Sequence, residues 1–105
     1  MLSTKNWTLN SYTAATWTDL INQSDKCTVA TLIMGNTGAG AAAVELRVTD
    51  DTPTSLAVIL PAFSIAQDTA EILDIRSLNL SGTQRLQIKV DIVGVDFCAS
   101  GVEEI

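Results

Sequence analysis

Acidic residues are the first candidates for chemistry in this 105-residue chain. Asp50 and Asp51 stand together before Pro53 and could offer carboxylate oxygens to a hard cation. Calcium takes about six to eight oxygen ligands from a defined loop, so we predict that this pair consists of solvated turn residues. Glu103 and Glu104 could instead pair with a basic patch on a partner. A glycosidase pair would need support from elsewhere in the fold, which their spacing does not supply.

Gly38-Ala-Gly40 is rich in glycine, as phosphate-binding loops are. Such a loop follows a strand, opens a helix and carries a lysine, whereas this segment leads into a predicted strand, so a hairpin turn is favoured. The chain also has no histidine. This removes the usual general base, the common nucleophile pairs and the commonest metal ligand. We therefore expect no enzyme activity, no cofactor and no metal site.

Aromatic residues near the N-terminus form a different kind of candidate site. Trp7, Tyr12 and Trp17 lie within eleven residues. If exposed, they could anchor a protein interface or stack on sugar rings; if buried, they belong to the core. The sequence leaves core and subunit contact equally open and places sugar binding third. Val102, an apolar residue near the end of the chain, is added to the candidate interface together with the two glutamates that follow it.

Alternating side chains identify the elements that must position these residues. In Gln84–Ile92 every second residue from Leu86 onward is apolar, and those between are polar or charged, which is the pattern of a strand with one dry and one wet face. Pro61 is predicted to end one strand, Ala62–Asp68 to be a connection, and Leu78–Gly82 to be a bend. The predicted strands are Thr4–Leu9, Thr16–Asn22, Lys26–Asn36, Ala41–Thr49, Ser55–Leu60, Ala70–Ile75, Gln84–Ile92 and Val95–Glu103.

Eight short strands at these spacings predict an all-β, single-domain antiparallel β-sandwich over residues 1–105, with jelly-roll or immunoglobulin-like topology. The hydrophobic fraction of 47% against a charged fraction of 17% favours a subunit packed against neighbours. The alternative is a well-filled core beneath a surface rich in Ala and Thr.

Charge and cysteine content limit the partners. The net charge is −6 and the six basic residues are scattered, so nucleic-acid binding is not expected. No run approaches the ~18 apolar residues of a membrane span. The first residues lack the apolar run of a secretory signal, so we expect a reducing compartment in which Cys27 and Cys98 stay free. A disulfide between them stays open if their strands are neighbours.

The order of several short motifs resembles a group of small virion proteins of tailed bacteriophages. The first three motifs are a Thr- and Ala-rich segment with an aromatic residue (Thr13–Trp17), an apolar strand ending at an Asn-containing turn (Ala30–Asn36) and a small-residue segment (Ala41–Leu46). A leucine-rich bend (Leu78–Gly82) then precedes an alternating strand (Leu86–Val90), and the last motif is a Ser-Gly-Val-Glu ending (Ser100–Glu103). The chain departs from the group at Thr83, where Asp is common, at both cysteines and in Pro61–Asp68.

The resemblance implies a structural protein without turnover. Capsid decoration (cement) proteins of this size bind the outer shell, often as trimers, and brace neighbouring capsid subunits by burying surface. The resemblance therefore implies the major capsid protein or other virion proteins as partners, a homo-oligomer with a trimer favoured, and a place in the virion after assembly in the host cytoplasm. A tail, adaptor or baseplate component is the alternative, and a carbohydrate-binding module is a further one.

Overall fold

The computed structural model describes residues 1–104, except for the side chains of residues 76 and 77. The described residues form eight β-strands and no helix. The strands are β1 (Leu2–Leu9), β2 (Thr18–Ile21), β3 (Lys26–Asn36), β4 (Ala42–Thr49), β5 (Ser55–Ile65), β6 (Thr69–Leu80), β7 (Arg85–Val90) and β8 (Val95–Glu104). The prediction of an all-β antiparallel sandwich is therefore confirmed.

Strand order makes the sandwich a jelly roll. One four-stranded sheet, the first sheet, has the order β1-β8-β3-β6, and the second sheet has the order β2-β7-β4-β5. β1 pairs with β8, β2 with β7, β3 with β6 and β4 with β5, all antiparallel, as in one long hairpin wrapped over itself. This is the jelly-roll topology among the two that the sequence left open.

The core lies between the two sheets and follows the period-two pattern of the strands. In β7, Leu86, Ile88 and Val90 are buried, while Arg85 and Lys89 on the alternate positions are partly exposed. The longest predicted apolar strand, Lys26–Asn36, has the bounds of β3. Its inward residues meet those of β4 and β7 in a single cluster that spans both sheets. Burial of this apolar surface is the main force that holds the layers together.

The prediction that Pro61 ends a strand, with a connection to Asp68, is wrong. β5 continues through Pro61 to Ile65. β5 is the edge strand of the second sheet, and its ladder with β4 shifts register between Leu60 and Phe63. A proline is tolerated at such a position, because an edge strand or bulge does not require every N–H to enter the ladder.

The predicted bend at Leu78–Gly82 is also wrong over its first half. Leu78 and Leu80 belong to β6 and pair with β3, and the chain turns only after Leu80. Leu80 is buried. Leucines on a strand facing the core give the same spacing as an apolar bend, so the pattern alone did not separate them.

Candidate interaction surfaces

The N-terminal aromatics are separated by the fold. Trp7 points from β1 into the sandwich, where it is 7% exposed, and its Nε1–H donates to Oε1 of Gln23 at 2.9 Å. Burial of the ring and its satisfied N–H place Trp7 among the core residues of the isolated chain. Its role in an interface stays a prediction.

Tyr12 closes the turn between β7 and β8. Its hydroxyl donates to the carbonyl of Ile92 at 2.7 Å and accepts from the backbone N–H of Val95 at 3.1 Å. The ring meets Phe97 edge to face, with centroids 6.2 Å apart. Burial raises the pKa of Tyr12 above its ordinary value, so the hydroxyl stays protonated and can keep donating.

Trp17 lies on the outer face of the second sheet and is half-buried. The guanidinium carbon of Arg47 is 4.2 Å from the ring centroid, and Nζ of Lys89 is 5.0 Å from it. Both distances are those of cation–π contacts, which hold the ring down on the sheet. Trp17 is therefore fixed in position but keeps part of its surface free for a partner.

The polar residues around Trp17 form a bonded surface, which we call the charged face. Nε of Arg47 donates to Gln87, and Gln87 donates to Asp19, each at 2.8 Å. Arg85 lies 3.5 Å from Asp19, and Lys89 lies 3.1 Å from Glu45. The charged face comprises Trp17, Asp19, Glu45, Arg47, Arg85, Gln87 and Lys89. Its opposite charges pair with one another, although Nε of Arg85 is buried without a hydrogen-bond partner.

The candidate residues at the end of β8 do not act as a group. Glu103 points inward and accepts hydrogen bonds from Lys5 at 3.2 Å and from Gln23 at 3.4 Å. Val102 and Glu104 are on the opposite side of the strand, where Val102 is half-buried and Glu104 is exposed. The two glutamates therefore do not form one acidic pair, and the interface role of all three residues stays a prediction.

The two cysteines are free and lie on different sides of the first sheet. Cys27 is buried, and its pKa is raised by burial and then by the nearby Glu103 carboxylate. Cys98 is half-buried and points outward from β8. Cys27 pairs across the β3–β8 ladder with Glu103, whereas Cys98 pairs with Ile33, about 20 Å further along β3. That separation is too great for a disulfide.

Asp50 organises the turn between β4 and β5. Its Oδ1 accepts hydrogen bonds from the hydroxyl and the N–H of Thr52, at 2.6 and 2.9 Å, and from the N–H of Thr54 at 2.7 Å. These bonds lower the pKa of Asp50, the Thr52 hydroxyl having the largest effect. In the part of the chain that the structure describes, no group of three or more acidic, Cys or His side chains is placed to hold a metal ion.

The outer face of the first sheet is a surface of which the sequence analysis named only Val102 and Glu104. Its central residues form three rows across all four strands, and we call these rows the neutral face. The rows are Thr4-Val102-Thr28-Asn79, Asn6-Ser100-Thr31-Asp74 and Thr8-Cys98-Ile33-Ile72. Among these residues Asp74 alone is charged. Ile72 and Ile33 are 68% and 41% exposed, large values for apolar side chains.

A shallow depression of about 450 Å³ adjoins the third row. It opens above Gly35, which has no side chain to fill it, and its walls include Thr8, Asn10, Cys98 and the exposed carboxylate residue Asp96. The neutral face therefore carries an apolar projection, Ile72, on one edge strand and a depression toward the other edge strand. No isolated segment shows this arrangement, because each row draws on four strands that are distant in sequence.

Comparisons with known proteins support the fold. Neither a protein-family profile nor a curated protein matches the chain. A pilus protein of Bacillus endospore appendages, described as forming disulfide-linked pili, matches with a TM-score of 0.51 and 13% identity, covering 99% of this chain and 88% of that one. A chain of infectious bursal disease virus, Gx strain, matches with a TM-score of 0.51 and 8% identity, covering 98% of this chain and 40% of that one.

A pentameric capsid protein from metagenomic phage sequences is 17% identical over 97% of this chain and 62% of that one. Its TM-score of 0.38 is too low to carry an argument. At 13% and 8% identity, the two matches with a TM-score of 0.51 establish the fold alone. The part of the chain that the structure describes contains no helix with the length and apolarity needed to cross a membrane.

Proposed function

We propose that this chain is a non-enzymatic structural subunit of a bacteriophage virion, and more narrowly a decoration protein that braces neighbouring capsid subunits on the head. The neutral face is the observation that carries the proposal. A surface of small, uncharged side chains with exposed isoleucines is suited to burial against another protein, since charged residues are depleted at the centres of interfaces.

The arrangement of the polar side chains also favours a structural role. The hydroxyl of Tyr12, the indole N–H of Trp7 and the carboxylate of Asp50 are all engaged in bonds that hold the fold. A site for catalysis brings polar groups together in a pocket with a free reactive atom. These three groups are far apart and each makes a structural bond, so burying surface is the activity that the geometry supports best.

The resemblance to small virion proteins of tailed bacteriophages supplies the choice of a virion and of the capsid. The major capsid protein is accordingly the proposed partner. A tail, adaptor or baseplate component would use the same kind of surface, and it is therefore an outcome of the test below. The trimer that the resemblance implies stays a prediction.

Sugar binding is the weaker alternative. A carbohydrate-binding surface needs exposed aromatics in a row, whereas Trp7 is buried and Tyr12 is bonded to the β7–β8 turn. Trp17 alone keeps partly free ring surface, and Arg47 and Lys89 lie over its ring. Acrylamide quenching of the Trp7→Phe variant, which retains Trp17, would reveal glycan binding if added glycan protected the fluorescence.

The proposal is tested by adding the purified chain to phage head shells that lack it. We expect many copies to bind per shell and the melting temperature of the shell to rise, because a ligand that binds only the assembled state stabilises it. Isolated tails serve as the control particle. Binding to tails without binding to heads would replace the capsid role with a tail role, and binding to neither would overturn the proposal.

A further inference from the structure

We propose that two copies of this chain pack against each other through their neutral faces, with the first sheets stacked around a two-fold axis parallel to the strands. This inference deepens the proposed function by giving the neutral face an occupant in the free subunit: two copies pair through it, and binding to the capsid through the same face would compete with the pair. It rests on that function only for its biological setting, since the contact involves this chain alone.

The contrast between the two outer faces is the first argument. The charged face carries five charged residues, Asp19, Glu45, Arg47, Arg85 and Lys89, each bonded to a neighbour within that face. Among the described side chains of the neutral face, Asp74 alone is charged, and it lies on the edge strand β6. Removing water from the neutral face therefore costs less free energy than removing it from the charged face. The one charged side chain, Asp74, lies at the rim, where interfaces place their polar residues.

Charge also selects the partner. Each chain carries a net charge of −6, so two copies repel one another wherever acidic surfaces meet. The middle of the neutral face avoids this repulsion. Its threonine and serine hydroxyls, among them Thr8, Thr31 and Ser100, can each donate or accept, so the same surface can satisfy a second copy of itself. A basic partner would gain little here compared with other parts of this acidic chain.

Strand order gives the shapes that would meet. With the order β1-β8-β3-β6, a two-fold axis parallel to the strands between β8 and β3 places β6 of one copy over β1 of the other. Ile72 of one copy then lies over Thr8 of its partner, beside the depression above Gly35. The same contact repeats in reverse, which is the self-complementarity of an isologous interface.

The available area allows a weak and reversible pair. The three rows span five residues of β8 across four strands about 4.8 Å apart, which is roughly 300 Å². Two copies would bury roughly 600 Å² in total, in the range of weak and transient contacts. The pair should therefore dissociate on dilution. This packing predicts a dimer, whereas the resemblance to virion proteins implies a trimer.

The test compares the self-association of three full-length chains by multi-angle light scattering and sedimentation over a concentration series. The wild type should shift from monomer to dimer. Ile72→Asp, which places a charge on the projection, should weaken the dimer by at least about tenfold. Val93→Asp is the matched control, because Val93 is similarly exposed, at 60%, but lies in the β7–β8 turn away from the neutral face. It should dimerise as the wild type does.

Cys98 reports independently on which face is covered. It lies in the third row of the neutral face, whereas Cys27 is buried and provides an internal reference in the same chain. Labelling with an uncharged maleimide, followed by mass spectrometry, should slow at Cys98 as dimer forms. A chain that stays monomeric at all concentrations, a trimer, a dimer with full Cys98 reactivity, or normal dimerisation of Ile72→Asp would each overturn the inference. Shell binding, measured separately, would show whether the proposed function survives.

Discussion

At the scale of single residues, Asn36 shows how one polar side chain joins the two sheets. It is the last residue of β3 and is only 1% exposed. Its Nδ2 donates to the carbonyls of Gly40 and Ile65, both at 2.9 Å, and its Oδ1 accepts from the N–H of Gly38 at 3.0 Å. Ile65 ends β5, so Asn36 connects the first sheet to the second with its hydrogen-bonding capacity satisfied.

Asn36→Ala should therefore destabilise the fold by about 2–3 kcal/mol, because it leaves buried backbone groups without partners. Urea denaturation followed by circular dichroism measures the effect. The control is Asn10→Ala, since Asn10 is exposed, and it should change the free energy of unfolding by less than about 0.5 kcal/mol. Equal stabilities for the two variants would show that the Asn36 bonds contribute nothing net.

Asp50 predicts a pH dependence of stability. Its folded pKa lies below the ordinary value of 3.8, so its carboxylate stabilises the fold fully above that value, and the contribution is lost as pH falls through the folded pKa. Asp50→Asn mimics the protonated acid. Its stability deficit against the wild type should thus be constant near neutral pH and should vanish in strong acid.

Urea midpoints between about pH 7 and pH 2 test the Asp50 prediction. Thr52→Val removes the hydroxyl donor that lowers this pKa most, so the deficit caused by Asp50→Asn should be smaller in that background. If the loss of stability in Asp50→Asn stays the same down to the lowest pH, it arises from a change in hydrogen-bond geometry and not from the loss of the carboxylate charge.

At the scale of elements, β5 is the exposed weak point of the sandwich. It is an edge strand of eleven residues without a charged side chain, and its Leu56 and Val58 are 52% and 60% exposed. Between Phe63 and Ser55, β5 takes eight residue steps where β4 takes five between Val44 and Thr49. The bulges, together with Pro61, break the regular row of backbone groups that would otherwise recruit another strand.

Val58→Lys should reduce aggregation on heating, because a charge on an exposed apolar edge opposes pairing with another chain. The free energy of unfolding should change by less than about 0.5 kcal/mol, since the side chain is exposed. Light scattering during a thermal ramp gives the first quantity and urea denaturation the second. Val93→Lys adds the same charge outside the edge strand and should leave aggregation unchanged. If both variants aggregate less to the same degree, the change in net charge explains the effect and the edge strand does not.

The same elements show what a sequence can reveal. β3 was predictable to the residue because a long apolar run ends at the turn that follows Asn36, although a bulge between Val29 and Thr31 interrupts its alternation. β5 and β6 were not, because a bulged ladder tolerates Pro61, and because inward leucines mimic a bend. Whether Trp7 points inward depends on the pairing of β1 with β8, which joins opposite ends of the chain. Local patterns identify strands, but such long-range pairings decide which side chains share a face.

At the scale of the whole molecule, the neutral face exists only because the jelly-roll order places β1, β8, β3 and β6 side by side. Thr8, Cys98, Ile33 and Ile72 are scattered along the chain and meet in one row only after folding. A sequence scan for adjacent motifs passes over such a surface. It instead selects Trp7 and Tyr12, which the fold uses internally.

The net charge of the chain predicts how salt affects dimerisation, and the effect differs between a dimer formed through the neutral face and one formed through the charged face. Copies carrying −6 repel over a distance that shrinks from about 30 Å at 0.01 M salt to about 8 Å at 0.15 M. If the neutral faces meet, added salt removes this repulsion without weakening any ion pair, so the dimer dissociation constant should fall severalfold. A dimer held by the charged face, through Arg85 or Lys89, should loosen instead. Sedimentation velocity at the two salt concentrations decides between them, and a dimer that weakens with salt would exclude neutral-face stacking as its basis.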